Sequence, residues 1–98
     1  MASELRYAET IEESLEELDG EKAERIIKKL DDITDFPEHY LSPLTNHPGY
    51  KLRVGDFRIV IDWDKDENKL YAIDVLKRKK NYRNLGKYQE VWGSWRDE

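Results

Sequence analysis

The chain has no cysteine. That excludes a disulfide framework, a thiolate zinc site and a cysteine nucleophile. Long apolar runs are missing too. The longest purely aliphatic stretch is Ile59-Val60-Ile61, whereas a membrane span needs ~20 apolar residues. Proline and glycine are sparse, 3 and 5 in 98 residues, and there are only 2 histidines. No glycine-rich phosphate loop and no Ser/His/Asp arrangement is visible. The opening Met1-Ala2-Ser3-Glu4 shows no basic stretch leading into an apolar one, so the expected location is the cytoplasm.

What is present is charge and aromatic mass. Charged residues make up 40% of the chain and hydrophobic residues 38%, with a mean hydropathy of −0.95. Such a composition borders on that of disordered chains. Three Trp, six Tyr and two Phe argue for a folded core, because each ring can bury a large apolar area. Ninety-eight residues are expected to form a single domain over 1–98.

The net charge of −5 conceals a division. Residues 1–48 hold 13 acids and 5 bases, and residues 49–98 hold 9 acids and 12 bases. Six bases and no acid lie between Lys77 and Tyr88. An acidic protein with a local basic segment fits a focused polyanion site better than indiscriminate nucleic-acid binding. A merely solvated basic surface is the plainer alternative.

The hydrophobic period divides the chain at the same place. Leu5 to Tyr7 can open a strand. Ile11, Leu15 and Leu18 mark an amphipathic helix, with Thr10 as expected N-cap and Glu13 completing a capping box. Asp19-Gly20 ends it. Ala23, Ile26, Ile27, Leu30 and Ile33 mark a second helix, expected to stop at Phe36-Pro37. The two read as a helical hairpin. Residues 36–49 contain every proline and both histidines and are expected to be irregular. The period then changes from 3.6 to 2. Strands are expected at 51–54, 57–63 and 69–76, with turn chemistry at Gly55-Asp56 and at 64–68. Tyr88, Trp92 and Trp95 recur at helical spacing near the C-terminus. The expected class is α+β: an N-terminal helical hairpin packed on a small twisted antiparallel sheet, with a short C-terminal helix.

Strand alternation singles out candidates for chemistry. If Leu52, Val54, Phe57, Ile59 and Ile61 face the core, then Lys51, Arg53 and Arg58 share the opposite face. Arginine contacts phosphate in bidentate fashion and stabilises charge growing on phosphorus. His39 and His47 lack a convincing third metal ligand. Asp62, Asp64 and Asp66 resemble a calcium loop only superficially, lacking its central glycine and distal glutamate, and read as a polar hairpin.

The run Tyr50-Lys51-Leu52-Arg53-Val54-Gly55-Asp56-Phe57-Arg58-Ile59-Val60 resembles the signature of the RelE/ParE toxin superfamily. Two helices precede it. A hairpin strand follows, then the basic exit Val75-Leu76-Lys77-Arg78-Lys79-Lys80-Asn81-Tyr82-Arg83, in which Arg78 and Tyr82 match the family's arginine–tyrosine spacing. The resemblance runs from about Leu5 to Arg83. It implies a toxin of a type II toxin–antitoxin system that enters the ribosomal A site and cuts mRNA by 2′-hydroxyl attack, without metal or cofactor. It implies catalytic roles for Lys51, Arg58, Arg78 and Tyr82, and RNA contacts for Arg53, Lys77, Lys79, Lys80 and Arg83. With no histidine matched in the site, the proton-transfer role falls to a lysine. The expected partners are a cognate antitoxin protein and mRNA on the ribosome. Gly49 replaces a second lysine that some members carry, and Lys77 replaces a frequent histidine. A ParE-like inhibitor of DNA gyrase and a catalytically silent binding domain remain open on the same scaffold.

Overall fold

The computed structural model describes residues 3–44 and 47–77. Its elements are β1 (Glu4–Tyr7), α1 (Glu9–Glu16), α2 (Gly20–Ile33), α3 (Pro37–Tyr40), β2 (Ser42–Pro43), β3 (Tyr50–Val54), β4 (Phe57–Asp64) and β5 (Lys69–Lys77). The five strands form one sheet in the order β1-β5-β4-β3-β2. This is an α+β fold of three helices and a five-stranded sheet among the described residues. The expected C-terminal helix lies outside them, as do Arg78, Lys79, Lys80, Tyr82 and Arg83.

The sheet departs from expectation in two respects: Ser42–Pro43, in the stretch expected to be irregular, forms its edge strand β2, and its pairing is not all antiparallel. It is mixed, because β1 pairs parallel to β5, with Glu4 opposite Lys69 and Tyr7 opposite Ala72. The described chain thus opens with a strand that leaves the sheet edge and feeds α1. The remaining pairs, β2–β3, β3–β4 and β4–β5, are antiparallel. A parallel pair needs a long crossover, and here the crossover is everything from α1 to β4. No local signal in the short run Leu5–Tyr7 carries that information.

Helix ends also move. α1 begins at Glu9 with Ala8 at the N-cap position, and no side chain caps it. Thr10 therefore lies inside the first turn rather than before it, so the expected capping box does not form. Glu9 and Glu12 favour that end through the helix dipole instead. Asp19 takes the N-cap position of α2 and Gly20 is its first residue. Pro37 opens α3 rather than ending a helix. Its fixed φ and missing N–H suit the first turn, where that donor has no partner.

The core lies between the helices and one sheet face. Ile11, Ile26, Leu30 and Ile33 from the helices meet Leu52, Val54, Ile59, Ile61, Leu70 and Ala72 from the strands, joined by Leu41. Phe57, Trp63 and Val75 pack against this cluster. The facing inferred from alternation in β3 and β4 is therefore the facing found. The opposite face holds a smaller apolar cluster of Leu44, Val60, Ile73 and Leu76, flanked by Tyr71.

Two positive-φ residues shape the hairpins. Gly55 has φ +57 in the two-residue turn joining Val54 to Phe57, as the first position of a type II′ turn requires. Asn68 has φ 57 at the end of the β4–β5 loop. Its side-chain oxygen accepts a 2.7 Å bond from the Ser3 hydroxyl, and its carbonyl accepts the Glu4 N–H at 3.0 Å. The turn therefore anchors β1 as well as joining β4 to β5.

Candidate functional site

The β3–β4 hairpin builds the cationic surface. Its register sets Val54 opposite Phe57, Arg53 opposite Arg58, Leu52 opposite Ile59 and Lys51 opposite Val60. Leu52, Val54 and Ile59 lie in the helix-side core. The pleat therefore turns Lys51, Arg53 and Arg58 to the other face together. Arg53 is exposed, while Lys51 and Arg58 are half-buried. On the neighbouring strand, Leu76 stands opposite Arg58. The apolar side chains of Val60, Ile73 and Leu76 form the floor beside these cations.

Two like charges directly across a strand pair cost stability. Arg53 and Arg58 are such a pair, placed one step inside a tight turn that leaves the backbone little room to separate them. An anion between the two guanidinium groups reverses the sign of that interaction. The arrangement is suited to receiving a phosphate. Four acids on α1 and four on α2 belong to the helical layer, across the sheet from the hairpin's cations.

The same face carries acids farther along β4. Asp62 is 2% exposed and Asp64 8% exposed. Asp64 accepts the N–H of Glu67 at 3.2 Å, so it caps the β4–β5 loop. This is the polar hairpin expected from the sequence. Burial of Asp62 and of Asp74, which is 6% exposed, was not legible from spacing. Both sit in β-rich runs where alternation alone puts a polar residue in solvent. Asp74 is held from α1, where the Ser14 hydroxyl donates to its Oδ1 at 2.6 Å.

A second group lies toward the far end of β3. Tyr50 and Trp63 meet edge to face at 5.3 Å, and the Lys65 ammonium lies 4.9 Å from the Trp63 ring centroid. Both rings pack against the helix-side core, so they serve the fold. His39 rests edge-on against Phe36 at 5.6 Å.

Of the residues singled out in the sequence, the structure thus gathers Lys51, Arg53 and Arg58 on one face. Lys77 ends β5 opposite Phe57. Arg78, Tyr82, Lys79, Lys80 and Arg83 fall outside the described residues.

A strand-paired cationic hairpin behind a helical layer defines a class of small α+β domain. Residues 5–82 match the family model for the ParE toxin of the type II toxin–antitoxin system parDE. Compared by sequence with curated proteins, the chain matches none. Among solved structures, it superposes on a chain of the toxin–antitoxin complex RelBE2 from Mycobacterium tuberculosis with a TM-score of 0.73 at 17% identity. That match covers 80% of this chain and 100% of the other. The RelE–RelB complex from Pyrococcus horikoshii gives a TM-score of 0.69 at 16% identity, covering 83% and 100%. The RelBE complex of E. coli gives 0.66 at 23% identity, covering 81% and 100%. The chain belongs to the RelE/ParE superfamily of type II toxins. Among the described residues no helix is long and apolar enough to cross a membrane.

Proposed function

We propose that this chain is a ribosome-dependent mRNA endoribonuclease that works without a metal ion. The observation that carries the proposal is the direct opposition of Arg53 and Arg58, with Lys51 on the same face. In this reading the 2′-hydroxyl of one nucleotide attacks the adjacent phosphorus, and the bond to the 5′-oxygen of the next nucleotide breaks. The products are a 2′,3′-cyclic phosphate and a 5′-hydroxyl. Lys51 activates or positions the 2′-hydroxyl. Arg58 and Arg78 bind the scissile phosphate, and one of them supplies the proton to the leaving oxygen. Arg53 contacts a neighbouring phosphate. Tyr82 stacks on a base or assists proton transfer, and Lys77, Lys79, Lys80 and Arg83 hold the RNA strand. Positioning and charge stabilisation supply most of the rate in such a mechanism.

The cognate partner in this reading is an antitoxin, as RelB is for the RelE proteins of the solved complexes. An acidic or apolar segment laid across the basic face would neutralise it. The site of action is the cytoplasm.

Primer extension on mRNA in a cell-free translation reaction tests the proposal, with wild type and Arg58→Ala side by side. Cuts within codons are expected only with ribosomes present, and about 100-fold fewer in the variant, the usual cost of removing one transition-state donor. Uncut mRNA overturns it. The match to the ParE family favours a second reading, inhibition of DNA gyrase by binding. Loss of gyrase supercoiling with uncut mRNA establishes that one. Absence of both effects leaves a silent binding domain.

A further inference from the structure

β5 contains a change of register. Ala72 stands opposite Ile61 and Asp74 opposite Val60, which leaves Ile73 as an extra residue, a β-bulge. The bulge sits where β1 gives out. Tyr7 is the last residue of β1 paired with β5, the Ala8 N–H reaches the Ala72 carbonyl at 2.9 Å, and the chain then turns into α1. From there α1 lies along the β5 edge. The Ser14 hydroxyl donates to Asp74 Oδ1 at 2.6 Å, and the Val75 N–H donates to the same oxygen at 2.8 Å. One carboxylate oxygen thus joins the helix to the backbone just past the extra residue.

We infer that Ser14 and Asp74 are positioning residues for the cationic face: they hold the bulge, so that Leu76 rather than Val75 stands opposite Arg58. Continuous pairing from Ala72–Ile61 would set Ile73 against Val60, Asp74 against Ile59 and Val75 against Arg58. A one-residue slip moves every later side chain to the other face. Asp74 would then be thrust into the helix-side core beside Ile59, which is fully buried. The bulge instead keeps Val75 on that core and puts Leu76 with Arg58. Lys77, the last residue of β5, stands opposite Phe57, so its register is inherited from this point. α1, which carries no residue of the proposed site, thereby acts on it through Asp74.

The inference rests on reading Arg58's face as the reacting one, and its test separates the two. The full chain is compared as wild type, Asp74→Ala, Asp74→Asn and Ser14→Ala. Cross-strand NOEs between β4 and β5 report register, and ribosome-dependent cleavage reports kcat and KM. Wild type is expected to show Leu76–Arg58 contacts. Asp74→Ala is expected to show Val75–Arg58 contacts and about a 100-fold fall in kcat, the scale of a small misplacement of reacting groups, with KM within about threefold. Asp74→Asn keeps an acceptor oxygen and is expected to restore both. Deleting Ile73 from Asp74→Ala removes the extra residue and is expected to restore the Leu76–Arg58 contact. Wild-type register and kcat in Asp74→Ala overturn the inference. If Asp74→Ala fails to fold, Ser14→Ala carries the register measurement alone, and unchanged Leu76–Arg58 contacts there overturn it. A wild type that does not cleave, with a slip in Asp74→Ala, upholds the positioning role and overturns the nuclease.

Discussion

Arg53→Thr should make the protein more stable and a weaker binder of polyanions. Arg53 and Arg58 are direct cross-strand partners next to the Gly55-Asp56 turn. Their Cβ atoms start ~5 Å apart, and their guanidinium heads can splay to roughly 6 Å. Two like charges at that distance in water repel by about 0.7 kcal/mol. Screening at physiological salt, where the Debye length is ~8 Å, leaves about half of this. Threonine keeps strand propensity while removing the charge. A gain of about 0.3–0.7 kcal/mol raises the melting temperature of a domain this size by roughly 2–4 °C. Thermal unfolding at low salt should show the gain, and at 1 M salt it should vanish. Binding of single-stranded RNA should weaken, with the salt slope shallower by about 0.7 if one phosphate contact is lost. A stability gain that persists at 1 M salt refutes the charge argument. RNA binding with an unchanged salt slope refutes the assignment of Arg53 as a phosphate contact.

Two further outcomes follow from the turn and from β1. Gly55→Ala is expected to cost about 1–2 kcal/mol in urea unfolding through backbone strain at φ +57. Steric conflict does not contribute, because the nearest atom to an added Cβ is Arg25 Nη1 at 3.7 Å, and Gly55→Asn should recover part of the loss. Burial, and then the negative charge of Asp31, hold the Tyr7 hydroxyl above its ordinary range. Its neutral form is thus favoured in the folded state. That contribution is complete below pH ~10 and is lost as pH rises through the folded value. Tyr7→Phe should flatten the decline in melting temperature above pH 10, and an unchanged decline would show that other groups cause it.

Much of the architecture could be read in advance, for a physical reason. Helix period in Ile11-Leu15-Leu18 and Ile26-Leu30-Ile33, and strand period in Lys51-Leu52-Arg53-Val54, are local properties. A buried face requires them whatever the topology. The shared face of Lys51, Arg53 and Arg58 follows from the same alternation plus a two-residue turn. Boundaries were less legible. Ala8 displaced Thr10 from the start of α1, because the last β1–β5 hydrogen bond fixes where the chain can begin to coil.

Pairings distant in sequence were decided by the tertiary structure alone. β1 lies parallel to a strand some sixty residues later. Its four residues contain no sign of the partner, since any edge of the sheet satisfies the same backbone groups. The burial of Asp74 depends on Ser14, also 60 residues away. A carboxylate in a strand reads as solvent-facing until a hydroxyl from another element is brought to meet it. By itself the sequence determined which apolar residues of the helices and of β3 and β4 face the core, and that a cationic face exists, because these are consequences of pitch and pleat. Only the assembled fold decided which edge β1 closes, where β5 bulges, and which side chain meets Arg58. Those outcomes turn on a few hydrogen bonds formed between segments that local pattern cannot bring together.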